Sequence, residues 1–164
     1  MSQHLLQTVG GVDAGVDRAN GVWTPDNRPG RVAVRGVDVN TGTCRDWQAG
    51  MSASWRAGLA AVSLDCDAVI IALADMPAVT ADHLRRLVAA FDPPEGREIC
   101  RATAADGTPG HPVLFGRRFF EALAGLTGDH GARDIPREAS EFLVEVPTRG
   151  QGATIDLDTP QDWA

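Results

Sequence analysis

The run DAVIIALADMP narrows the fold more than any other part of this chain. Seven consecutive apolar residues, Ala68 to Ala74, are stopped at once by Asp75 and Pro77. The run is short, rich in β-branched residues and without alternation, which predicts a strand covered on both faces. Such a strand needs helices above and below it, so the chain is directed toward the α/β layer architectures. The run is also far below the roughly 20 residues needed to cross a bilayer.

Its neighbours support that expectation. Upstream, Ser52 is a candidate N-cap for the helical stretch ASWRAGLAAV, where Trp55, Leu59 and Val62 share one face. Downstream, Thr80 is placed to cap TADHLRRLVAAF. Asp82 lies in its first turn, Leu84, Leu87, Val88 and Phe91 form an apolar stripe, and Pro93 and Pro94 end it. A short EICRA segment, a Gly- and Pro-rich turn, the strand HPVLF, the helix GRRFFEALAGL and the strand FLVEV continue the pattern. TIDLDTPQDWA reads as a short strand entering a helix capped by Asp158 or Thr159. The order predicts a three-layer α/β fold with a largely parallel sheet.

The first forty or so residues read differently. Glycines punctuate a stretch with few large apolar residues, and only RVAVRGV, with Val32, Val34 and Val37, has strand character. The chain therefore divides, on sequence, into an irregular or divergent segment 1–43 and a regular part 44–164. The 164 residues and 43% apolar content suit one ordinary domain. A net charge of -7 argues against nucleic acid as a partner. All 15 basic residues are arginine, so no lysine is available to hold a phosphate. Cys44, Cys66 and Cys100 match neither a disulfide framework nor a zinc pattern. The opening MSQHLLQTVGG has no basic start or long apolar stretch, so the expectation is a cytoplasmic protein without a membrane segment.

Chemistry is expected beyond the strand carboxyl ends, where open α/β sheets bind ligands. Asp75 stands there, either as a ligand-binding carboxylate or as a turn residue before Pro77. Asp156 and Asp158 lie two apart in an extended segment and would point the same way in a strand. Asp75 and Asp156 together would suit magnesium, which takes one or two carboxylates plus substrate phosphates. His111, between Gly110 and Pro112, is either a phosphate, metal or substrate contact or a loop histidine bonded to backbone. LTGDHGAR, with Asp129 and Arg133, is either an anion-binding loop or an ordinary helix entry. The phosphate-binding G-x-x-x-x-G-K-[ST] loop, the G-x-G-x-x-G fingerprint and the G-x-S-x-G elbow are all absent from the sequence.

Taken in order, GMSASWRAGLAA, ALADMPAVTADHLRRL, GHPVLFGRRFFEALAGLTGDHGAR and IDLDTPQDWA resemble landmarks of the MobA-like nucleotidyltransferases, in particular the molybdenum cofactor cytidylyltransferase branch. The resemblance covers about residues 44 to 164. It implies a Rossmann-like α/β fold and transfer of CMP or GMP from CTP or GTP to molybdopterin, with magnesium and release of pyrophosphate. It also implies that Asp75 and Asp156 hold the metal, that Ser52 and Ser54 lie near the nucleotide, and that His111 and the Thr127 to Arg133 loop, with Asp129 and Arg133, face the pterin phosphate or the metal site. The family stretch LAAGxSxRMGxxK has no counterpart here, so the chain reads as N-terminally truncated relative to the family. Two other roles follow from that departure: a catalytically inactive molybdopterin-binding or chaperone module serving a molybdenum hydroxylase, or a truncated remnant.

Overall fold

The computed structural model describes residues 6–12, 16–23, 39–73, 75–127, 132 and 134–156; for 6–12, 16–23, 39–41 and 47 it describes the backbone alone. Among these residues seven strands form: β1 (Leu6–Val12), β2 (Val16–Trp23), β3 (Val39–Thr43), β4 (Ala68–Leu73), β5 (Ile99–Thr103), β6 (Pro109–Gly116) and β7 (Leu143–Pro147). Four α-helices accompany them: α1 (Met51–Leu59), α2 (Ala81–Ala90), α3 (Phe120–Gly125) and α4 (Asp134–Glu138). The strands make one sheet in the order β3-β2-β1-β4-β6-β5-β7.

The central strand β4 is the apolar run singled out above, and its two faces feed two separate cores. Val69 and Ile71 join Ile99, Val113 and Phe115 of the neighbouring strands beneath Trp55, Phe119, Leu123 and Ile135. Ala68 and Ile70 join Cys100, Ala102 and Leu114 beneath Leu87 of α2. Alternate side chains of a strand point to opposite faces, so a strand without polar alternation is what a sheet with helices on both sides requires. Leu87 alone, fully buried, contributes about 1.5–3 kcal/mol relative to exposure. The three-layer α/β class expected from the sequence is therefore the one that forms.

Strand directions depart from the expectation of a largely parallel sheet. Five of the seven described strands run one way, but β1 and β6 run against them, so four of the six neighbour pairings are antiparallel. For β6 the cause is local chain length. The turn between β5 and β6 closes on itself through Ala104 N–H to Thr108 O (2.9 Å) and Gly107 N–H to Ala104 O (2.9 Å), with Gly107 at φ 84. A turn that short joins only antiparallel strands, because parallel neighbours need a crossover of a dozen or more residues.

Three further differences concern single elements. β1, β2 and β3 lie in the glycine-rich stretch whose sequence showed no sustained strand periodicity; RVAVRGV itself lies outside the described residues. α1 is capped by Gly50 at φ 96, not by Ser52, which is fully buried inside the helix. Residues 151–154 form a turn and Asp156 follows it without strand structure, so the extended segment expected around Asp156 does not form there. Asp158 and the expected last helix lie outside the described residues.

Candidate active site

Strand direction decides which side chains can meet. β4, β5 and β7 run the same way, so their carboxyl ends share one edge of the sheet, and the reversed β6 begins there. Asp75 follows β4 and is half-buried; His111 lies near the start of β6 and is half-buried; the chain after β7 leads through the turn at 151–154 to the exposed Asp156. Three segments distant in sequence thus arrive at the edge where open α/β sheets bind ligands.

Close backbone packing holds these segments together. His111 N–H donates to Ala153 O at 2.8 Å. A Cβ on Gly110 would stand 1.9 Å from that same oxygen, and a Cβ on Gly152 would stand 2.7 Å from Ala78 O and 3.1 Å from His83 Nε2. The turn is therefore wedged between the start of β6 on one side and the loop after Asp75, with α2, on the other. Both close approaches need a residue without a side chain.

The N-terminus of α2 is tied to this wedge. Thr80 N–H donates to His83 Nδ1 at 3.2 Å, and the Thr80 hydroxyl lies 2.9 Å from the same nitrogen. His83 thus occupies the N3 position that Glu or Gln usually fills when reaching back to the cap. Burial holds its imidazole below the ordinary 6.5, with Asp82 opposing and Arg86 adding to the shift. A neutral ring that accepts at Nδ1 carries its proton on Nε2. Sequence reasoning passed over His83 because it reads as one polar residue on a helix; the available signal was its place three residues after Thr80.

Beside the edge lies a cavity of about 390 Å³ whose lining includes Ile71, Val113, Phe115, His111, Arg101 and Pro136. Arg101 is paired with Glu145 across β5 and β7. The other expected residues are placed less openly. Ser52 and Ser54 are both buried in the first turns of α1, and Ser52 Oγ accepts from Arg56 Nη1 at 3.4 Å, so their surroundings are protein. Asp129 and Arg133 lie outside the described residues. Among the described residues no group of three or more His, Cys, Asp or Glu side chains gathers to hold a metal ion. Of the residues expected to hold a metal, Asp75 and Asp156 both lie on segments that lead to this edge; a hard divalent cation takes one or two carboxylates and completes its shell with substrate phosphates and water.

A three-layer α/β domain with acidic and imidazole side chains collected at strand carboxyl ends has the form of a ligand-binding α/β domain. The chain belongs to the MobA-like NTP transferase domain family, whose model matches residues 2–142. That match starts well ahead of residue 44 and stops before IDLDTP. Purine catabolism protein PucB of Bacillus subtilis is 33% identical over 122 residues, covering 73% of this chain and 57% of PucB. Nicotine blue oxidoreductase of Paenarthrobacter nicotinovorans is 28% identical over 120 residues, 70% of this chain and 57% of that protein. The chain thus spans a little over half the length of each of these curated relatives. Among solved structures, Rv0371c of Mycobacterium tuberculosis H37Rv superposes with a TM-score of 0.75 at 28% identity, over 92% of this chain and 75% of that one. A complex of Rv0371c with manganese superposes with a TM-score of 0.74 at 29% identity, over 92% and 77%.

Proposed function

We propose that this chain is the core of a divalent-metal-dependent nucleotidyltransferase of molybdenum cofactor biosynthesis, acting in the cytoplasm. It would transfer CMP or GMP from CTP or GTP to the terminal phosphate of molybdopterin. An oxygen of that phosphate forms a bond to the α-phosphorus, the bond from the α-phosphorus to the bridging oxygen breaks, and pyrophosphate leaves. The observation that carries this reading is the arrival of Asp75, His111 and the Asp156 segment at one sheet edge in a chain of the MobA-like family.

Asp75 and Asp156 would hold magnesium or manganese, which when bound neutralises triphosphate charge and stabilises the transition state electrostatically. The manganese complex of the similar Rv0371c supports a divalent cation. The half-buried Asp75 is held close behind β4, whereas the exposed Asp156 depends on its turn for position. His111, with Asp129 and Arg133, would receive the acceptor phosphate; an arginine fork binds phosphate oxygens in pairs. A second reading, a molybdopterin-binding or chaperone module for a molybdenum hydroxylase, draws on the absence of any lysine for the triphosphate.

Calorimetric titration with CTP and GTP, with and without magnesium, tests the first reading. Magnesium-dependent binding, weakened at least tenfold by Asp75→Ala, is expected. A folded wild-type chain that binds neither nucleotide would sink it, and pterin binding without nucleotide would favour the second.

A further inference from the structure

His83 is buried, at 5% exposure, and its Nε2 finds no hydrogen-bond partner among the described residues. Burying a donor without an acceptor is unfavourable, so the ring is not placed there for Nε2 itself. Two constraints account for its position. Nδ1 takes the Thr80 N–H at 3.2 Å, which fixes the ring on the N-terminus of α2, directly after the loop that carries Asp75. The opposite side of the ring meets the turn that leads to Asp156, at the point where residue 152 is a glycine.

We propose that His83 is a positioning residue, a spacer whose ring sets the distance between the Asp75 loop and the Asp156 turn and so the separation of the two carboxylates. This rests on the reading of Asp75 and Asp156 as metal ligands. The turn meets the carbonyl of Ala78, the edge of the His83 ring and the start of β6 through Ala153, while Gln151 bonds Asp106 of the turn between β5 and β6. Contact with Ala78 and His83 seats it against the loop after Asp75, and contact with β6 stops it from sliding outward. Thr154 and Ile155 both donate backbone N–H groups to Gln151 O, at 3.0 and 3.2 Å, so the turn moves as one piece and carries Asp156 with it. A smaller side chain at 83 leaves the turn unsupported on the α2 side. An added methyl at 152 wedges it away from Ala78.

Asparagine separates the spacer from the cap. In His83→Asn the amide oxygen stands near the place of Nδ1 and still accepts from Thr80 N–H, but nothing reaches the Nε2 position. Gly152→Ala perturbs the same contact from its other side. Two readouts on the whole chain are needed, amide hydrogen exchange without metal and manganese titration followed by electron paramagnetic resonance. In His83→Asn the amides of Thr154 and Ile155 are expected to exchange at least tenfold faster, while those of α2 beyond its first turn keep their protection. Manganese affinity falls at least fivefold in both variants, and the double variant loses less than the two single losses combined, since both displace the same turn.

Unchanged exchange at Thr154 and Ile155 in His83→Asn refutes the spacer role. So does wild-type manganese affinity in that variant when Asp75→Ala has lost binding. If the wild-type chain binds no manganese, the metal reading fails on its own account, and the exchange pattern still decides whether His83 supports the turn.

Discussion

Replacing Gly110 with alanine tests the packing that gathers the site, and its effect can be worked from distances. The new Cβ would stand 1.9 Å from Ala153 O and 2.6 Å from Ala153 C. Both are backbone atoms and cannot rotate away, so either the start of β6 or the turn at 151–154 must move. Either movement lengthens or breaks the 2.8 Å bond from His111 N–H to Ala153 O. Overpacking of this kind costs about 1–3 kcal/mol, and the lost hydrogen bond adds about 0.5–1.5 kcal/mol. The sum, about 1.5–4.5 kcal/mol, lowers the melting temperature by about 3–18 °C in a domain of this size. Thermal unfolding followed by circular dichroism measures it. Gly125→Ala serves as the control, since a Cβ there meets nothing within 4 Å. A Gly110→Ala protein that melts with the Gly125→Ala control would show that the turn does not pack against β6 in the way described.

Two further expectations follow from burial. Cys100 is fully buried and its thiol is pushed up to about 12, so native protein treated with iodoacetamide at pH 8 should keep Cys100 unmodified, because alkylation requires the thiolate. Mass spectrometry showing Cys100 labelled as fast in the native protein as in guanidinium would contradict this. Because burial lowers the folded-state pKa of His83 below its unfolded value near 6.5, the unfolded chain binds the proton more readily. The stability that wild type holds over His83→Asn should therefore be complete above pH 6.5 and shrink as the pH falls through the folded pKa. Melting curves of both proteins from pH 5 to 8 check the sign; an advantage that grows on acidification refutes it.

Much of the core half of the fold is legible in the sequence because it depends on short-range patterns. The unbroken run Ala68 to Leu73 becomes β4 with a core on each face, and the stripe through Leu84, Leu87 and Val88 becomes the inner side of α2. Thr80 caps that helix as its position predicted. The cues failed where a residue's role depends on a distant partner. Ser52 looks like a cap, yet Gly50 at positive φ takes that place and leaves Ser52 inside the helix. β1 and β2 form in a stretch of glycines because each gains its backbone hydrogen bonds from a neighbouring strand, a source of stability invisible to periodicity.

Chemical character was therefore set by the sequence: which residues are acidic, that no lysine is present, that an aspartate stops the apolar run, and that the chain carries MobA-like motifs. Only the tertiary structure decided which of those residues meet. The short hairpin reversed β6 and so delivered His111 to the edge where Asp75 emerges, and two glycines 42 positions apart, Gly110 and Gly152, let one turn slot between β6 and α2. Strand direction and close backbone approach are properties of pairs of distant segments, and no local pattern of residue types encodes them.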